Sequence, residues 1–329
     1  MSIRMKKPLV ASSAAASTVD AMEVIDASEA VSSKRTLCVE DISTFFQASS
    51  RDKNDATNHI REEILKVIDQ PPHSFLESAE YGPLWRTVHE AWKNALKQIA
   101  DQTGIPAYTS VKTTMKGGRR WNYDADVSYY NGSQLVASRK IEFKNGGTDI
   151  GDLPQFLSLQ AKFGLFPETY DAFWYDHCLD HYLACDPEIT QPKPSREIYL
   201  KKVTGTTYTA LPFFHQLKNR EMFFQPEKNA VVNASITAYL TQYGHTIDIA
   251  AFSKKVQDSQ ADKMYLLWSN GAFCLDTLTA AEMTGMAFHS IQNGNVLELK
   301  AGTTSYRLLL RWRNHKGILN PAWQISMKR

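Results

Sequence analysis

The sequence predicts an α/β protein: a mixed sheet flanked by helices, then a strand-rich C-terminal part. Three observations predict it. Residues 80–103 place Leu84, Val88, Trp92, Leu96 and Ile99 at three- and four-residue steps, one apolar stripe along a helix. Three segments between Tyr108 and Lys144 alternate apolar and polar residues around glycine turns, the period of half-buried strands. At 43% hydrophobic and 22% charged residues over 329 positions, the chain has the composition of a soluble globular protein with a real core.

In chain order, residues 1–33 are rich in Ser and Ala, lack a periodic apolar face, and read as a disordered tail. Residues 39–50 and 57–69 read as short helices, and "QPPHS" breaks the chain before the long helix. "GIPA" ends that helix. "YTSVKTTM", "RRWNYDADVSYY" and "QLVASRKIEFK" then read as strands joined across "KGG" and "NGS". "DIGDLPQFLSLQAKFG" reads as a helix with Asp152 as N-cap, Pro154 in its first turn and Gly164 at its end. Residues 168–185 look helical, and "REIYLKKV" is expected to be a strand. Further on, "KMYLLWSNGAFCLDTL" and "TSYRLLLRWRNHKGILNPAWQISM" read as hairpins, with "NVLELK" a strand between them. The expected organisation is a tail over 1–33, helices and a core over 34–205, and a strand-rich, DNA-binding part over 206–329.

No run approaches the ~18 uninterrupted apolar residues of a membrane span. The four scattered cysteines suggest free thiols and an intracellular, reducing compartment. The basic start, with no acid until Asp20, also fits an organelle transit peptide. Net charge is only +2, but residues 102–123 and 301–329 carry Lys and Arg with no Asp or Glu. Such segments suit a polyanion partner. Absent are a glycine-rich dinucleotide loop, a P-loop, a serine-nucleophile elbow and a metalloprotease helix, so nucleotide cofactors and serine catalysis are not expected.

The chemistry is expected in "YDADVSYY" and "KIEFK". Residues two apart on a strand share a face, so Asp124 and Asp126 point one way, as do Glu142 and Lys144. If these strands are neighbours, one face gathers carboxylates and an ammonium, a hard oxygen site suited to Mg²⁺ or Mn²⁺. Phosphodiester cleavage needs such a set: a metal to neutralise the phosphate and acidify water, and a lysine to steady the developing charge. Glu-x-Lys alone carries no weight, since a chain of this length holds about one by chance. "LELK" repeats it at Glu298 and Lys300, with Asp276 upstream. The aspartates before and the expected capped helix after distinguish the first copy.

The succession "YDADVSYY", "KIEFK", "DLPQFLSLQ" resembles the PD-(D/E)xK nuclease superfamily over roughly residues 80–165. The resemblance implies a restriction-endonuclease-like core. Asp126 stands where the family has its aspartate, with Ala125 in place of proline, and Glu142 and Lys144 match the acidic-x-Lys pair. It implies Asp126, Glu142 and Lys144 as catalytic residues, and Asp126 and Glu142 as ligands of Mg²⁺ or Mn²⁺, helped by Asp124 or Glu90. Gln155 and Gln160 would support the site.

Two further groups stand out. Lys116, Arg119 and Arg120 lie just before the aspartates, and Arg307, Arg311 and Arg313 share a strand face with Lys316 beyond. Both are candidate DNA contacts, or else solvated charge. His177, His181 and Cys185 recur at four-residue steps and could bind zinc, or be partly buried helix residues. The expected activity is Mg²⁺-dependent hydrolysis of double-stranded DNA, sequence-specific and restriction-like, by a possible homodimer. A repair or recombination nuclease and a non-catalytic nucleic-acid-binding protein are the alternatives.

Overall fold

The computed structural model describes residues 36–47, 54–116, 121–203, 211–219, 225–261, 263–315 and 318–329. The expected tail over 1–33, Arg119, Arg120 and Lys316 lie outside these residues, and so does the side chain of Arg313. A 3₁₀ helix (Val39–Phe45), α1 (Asn54–Val67) and α2 (His73–Leu76) lead to the long helix α3 (Gly82–Gln102). Val88, Trp92, Leu96 and Ile99 of its stripe are buried together with Trp85, while Leu84 is half-buried at its edge. Pro83 sits in its first turn, and the chain leaves it through Gly104 at φ 62°.

Strands β1 (Ser110–Met115), β2 (Ala125–Asn131) and β3 (Gln134–Asn145) form an antiparallel meander. β3 continues into a parallel pairing with β5 (Lys263–Ser269), which turns through Asn270 and Gly271 into β6 (Ala272–Asp276). The order is β1-β2-β3-β5-β6. β5 is buried on both faces, which explains its continuous apolar run "MYLLW". Met264, Leu266 and Trp268 join the core with α1 and α3, while Tyr265 and Leu267 join a second core with the other sheet.

That second sheet has the order β4-β10-β9-β8-β7, all antiparallel: β4 (Leu157–Gln160), β10 (Ile318–Lys328), β9 (Thr304–His315), β8 (Val296–Ala301) and β7 (Ala287–Gln292). Both sheets therefore join segments from either side of residue 205. Helices α4 (Tyr170–His177), α5 (Leu179–Ala184), α6 (Arg196–Val203), α7 (Pro212–Asn219), α8 (Pro226–Tyr243) and α9 (Ile249–Gln260) fill the span between the sheets' contributions, and α10 (Ala280–Met283) precedes β7. The stretch after 205 thus carries α7–α9 before its strands.

Two expected elements change type. The helix expected over 149–164 is a single 3₁₀ turn, Ile150–Asp152, followed by strand β4. Asp149, not Asp152, caps the turn. Leu153, constrained by the following proline, is extended at ψ 135°, and residues 157–160 take the open edge of β10, Leu157 opposite Ile325 and Gln160 opposite Ala322. "REIYLKKV", expected as a strand, is helix α6. Tyr199 and Val203 are buried one helical turn apart, with Tyr199 packed on Tyr175 and Phe214.

One buried ion pair ties α8 to the end of α5. The Lys228 ammonium donates to Asp186, and their side chains are 0% and 2% exposed. Removing one partner strands a buried charge. Lys228→Met should therefore lower unfolding free energy by about 3–5 kcal/mol, while the paired change K228M/D186L should recover most of that loss. Urea denaturation of the three chains measures this.

Candidate active site

Strand alternation sets the site. Ile141 and Phe143 are buried in the core, so Glu142 and Lys144 face the other way. Asp124 lies just ahead of β2 and is clamped against β3: its N–H donates to the Ile141 carbonyl at 2.9 Å, and its carboxylate accepts the Phe143 N–H at 2.8 Å. Lys144 Nζ lies 2.5 Å from Glu142 Oε1 and 3.8 Å from Asp124 Oδ2. From β5, Lys263 Nζ approaches Glu142 Oε2 at 3.5 Å.

Burial sets the titration of these groups. It pushes the Asp124 carboxyl up to about 6, and the negative charges of Glu142 and Glu62 push the same way. Lys144 and the Phe143 N–H only partly offset them. Burial works against the Lys144 ammonium, but Glu142 and Asp124 outweigh it and hold its pKa above the ordinary lysine value. At Lys263 burial dominates, and its pKa falls despite Glu142.

The other expected residues scatter. Asp126 lies opposite Lys140 in the β2–β3 register, and its Oδ2 takes Lys116 Nζ at 3.0 Å and the Tyr123 hydroxyl at 3.4 Å. The aspartate beside Glu142 and Lys144 is Asp124. Glu90 is exposed on α3 and pairs with Lys93 at 3.0 Å, while the helix carboxylate felt by Asp124 and Lys144 is Glu62 of α1. Gln155 accepts from Arg311 Nη2 at 3.4 Å, and Gln160 is exposed on β4. Neither is on a helix.

Lys116 borders Asp126 and also stands 5.0 Å from the ring centroid of half-exposed Trp121. Arg307 lies opposite Glu298 across β8–β9. Lys328 donates to the Gly151 carbonyl, and Arg329 is engaged by Asp276 at 2.6 Å and Glu282 at 2.7 Å, so part of the basic C-terminal charge is used internally. His177 and His181 fall on different helices, separated by the break at Cys178, and Cys185 Sγ donates to the His181 carbonyl at 3.3 Å. The four cysteines are free. At the second Glu-x-Lys, the buried Glu298 is taken up by Ser290 and Gln292 inside the sheet.

Comparison with family models, curated proteins and solved structures finds no match. No described helix is long and apolar enough to cross a membrane. Among the described residues no three His, Cys, Asp or Glu side chains cluster closely enough to cage a metal ion. Asp124 and Glu142 are the two carboxylates beside Lys144, and Mg²⁺ as a class keeps waters and takes one or two carboxylates together with substrate oxygens. Sequence reading missed Glu62 and Lys263, because both come to the site through tertiary packing and neither shares a local motif with Glu142.

The Asp124 shift has a stability consequence. The folded chain holds this proton up to about pH 6, whereas the unfolded chain, at the ordinary value of 3.8, releases it earlier. The unfolded state binds fewer protons between those values, so the Asp124 contribution makes stability fall as pH rises through that window. Asp124→Asn should be more stable than wild type near neutral pH by about 1–3 kcal/mol, and the gain should vanish near pH 4. Urea denaturation across pH reads the difference.

Proposed function

We propose that this protein is a metal-dependent DNA endonuclease of the PD-(D/E)xK type. The observation that carries the reading is the Asp124–Glu142–Lys144 cluster, in which the Lys144 ammonium lies within 3.8 Å of both carboxylates. Support also comes from the element order, a helix, a three-stranded meander bearing the cluster, and a mixed sheet.

Asp124 and Glu142 would hold Mg²⁺, and Glu62 adds negative charge nearby. A bound Mg²⁺ supplies phosphate neutralisation and an acidified water. Lys144 Nζ, directed by Glu142, would orient the attacking water and steady charge on the phosphate oxygens. Asp126 would act with Lys116 at the margin, where Trp121, Tyr123 and Lys140 make a basic, aromatic border for the nucleic acid. Arg307 and Arg311 of the second sheet would reach DNA beyond the cleavage site. The finer reading is sequence-specific, restriction-like cleavage of duplex DNA by a homodimer.

One observation favours a second reading. Glu142 and Asp126 each already face an ammonium, as they would in a purely structural charge cluster of a non-catalytic nucleic-acid-binding protein. Plasmid cleavage separates the two. With Mg²⁺, wild type should cut and EDTA should stop it. Glu142→Ala and Lys144→Ala should each lose about a hundredfold or more in rate. Asp124→Ala should lose more than Asp126→Ala. Undiminished cutting by the Glu142 and Lys144 variants would exclude this site, and DNA binding without cutting would favour the second reading. Discrete fragments would mark sequence specificity.

A further inference from the structure

Glu142 faces a second cation that the reaction above does not use. Lys263 opens β5, the parallel neighbour of β3. Its Nζ approaches Glu142 Oε2 at 3.5 Å while Lys144 takes Oε1 at 2.5 Å, so each carboxylate oxygen has its own ammonium. The same Lys263 Nζ donates to the Asn122 carbonyl at 3.0 Å, two residues ahead of Asp124. Asn122 in turn donates through Nδ2 to the Ser259 carbonyl near the end of α9 at 3.0 Å.

The Lys263 side chain is only 4% exposed, and its ammonium stands 5.1 Å from the Tyr265 ring centroid. Burying an ammonium is costly unless acceptors replace its water. Here those acceptors are one oxygen of Glu142 and the carbonyl leading to Asp124. The lysine thus spans β5, β3 and the segment before β2, touching Glu142 directly and the backbone two residues ahead of Asp124.

We propose that Lys263 is a positioning residue of the Asp124–Glu142 site, orienting Glu142 and the Asn122 segment while its charge limits how tightly the carboxylates hold a divalent cation. This rests on the metal-binding reading of the site. Orientation and affinity then oppose one another: taking the charge away frees Glu142 Oε2 for a cation and also loosens the geometry that Lys144 needs. A merely structural lysine would instead weaken metal binding and turnover together when removed.

The test uses the full chain as wild type, Lys263→Met, Lys263→Arg and Glu142→Gln, with Mn²⁺ as the probe. Mn²⁺ affinity is measured calorimetrically, and plasmid cleavage at saturating Mn²⁺ is measured separately. Lys263→Met should bind Mn²⁺ about threefold tighter or more, since a positive charge beside the Glu142 carboxylate is removed. Its kcat should fall about tenfold or more with little change in KM for DNA. Lys263→Arg should restore the wild-type Mn²⁺ affinity. Lys263→Gln, also neutral, decides the same point if the methionine chain does not fold. Equal or weaker Mn²⁺ binding by the neutral variant overturns the proposal, as does wild-type Mn²⁺ binding that Glu142→Gln leaves unchanged. The predicted affinity changes without cleavage by any chain would sink the nuclease reading alone and leave the Lys263 assignment standing.

Discussion

The parallel pairing of β3 with β5 is the constraint on which the rest of the structure depends. It sets Glu142 opposite Tyr265 and Lys140 opposite Lys263, partners 123 positions apart in the chain. Because β5 is covered on both faces, this one strand belongs to two cores at once. Its even-numbered residues close the core under α1 and α3, and Tyr265 and Leu267 close the core shared with the second sheet. A one-residue slip would exchange those faces and withdraw Lys263 from Glu142.

The charge balance at the site follows from that pairing. Asp124, Glu142 and Glu62 stand against Lys144 and Lys263, and burial makes every imbalance count. Asp124 carries most of the consequence, because its carboxyl is both shielded from water and repelled by its neighbours. An additional cation would relieve that repulsion. The same arithmetic explains why Lys144 stays charged although it is partly withdrawn from solvent.

The two Glu-x-Lys copies show what a short motif is worth. Both occur on strands of this protein. At "LELK", the Glu298 carboxylate is consumed by Ser290 and Gln292, and Asp276 is held by Arg329 and the Ile150 N–H. At "IEFK", the glutamate keeps company with a second carboxylate and two ammoniums. The helix expected after "IEFK" is not what sets it apart, since those residues supply strand β4 to the other sheet. The difference lies in what each glutamate meets across its neighbours.

Local pattern by itself determined a good part of this protein. It determined helix α3, the meander β1–β3, the β5–β6 and β9–β10 hairpins, and the shared face of Glu142 and Lys144. These rest on periods of 3.6 and 2 and on glycine turns, all of which are written within a few residues. Only the tertiary structure decided that residues 157–160 pair with β10, that 196–203 coil instead of extending, and that Asp124 rather than Asp126 stands beside Glu142. It alone brought in Glu62 and Lys263. In each case the deciding energy is a distant partner, a free sheet edge, an aromatic neighbour or a buried opposite charge, and no window of local sequence contains it.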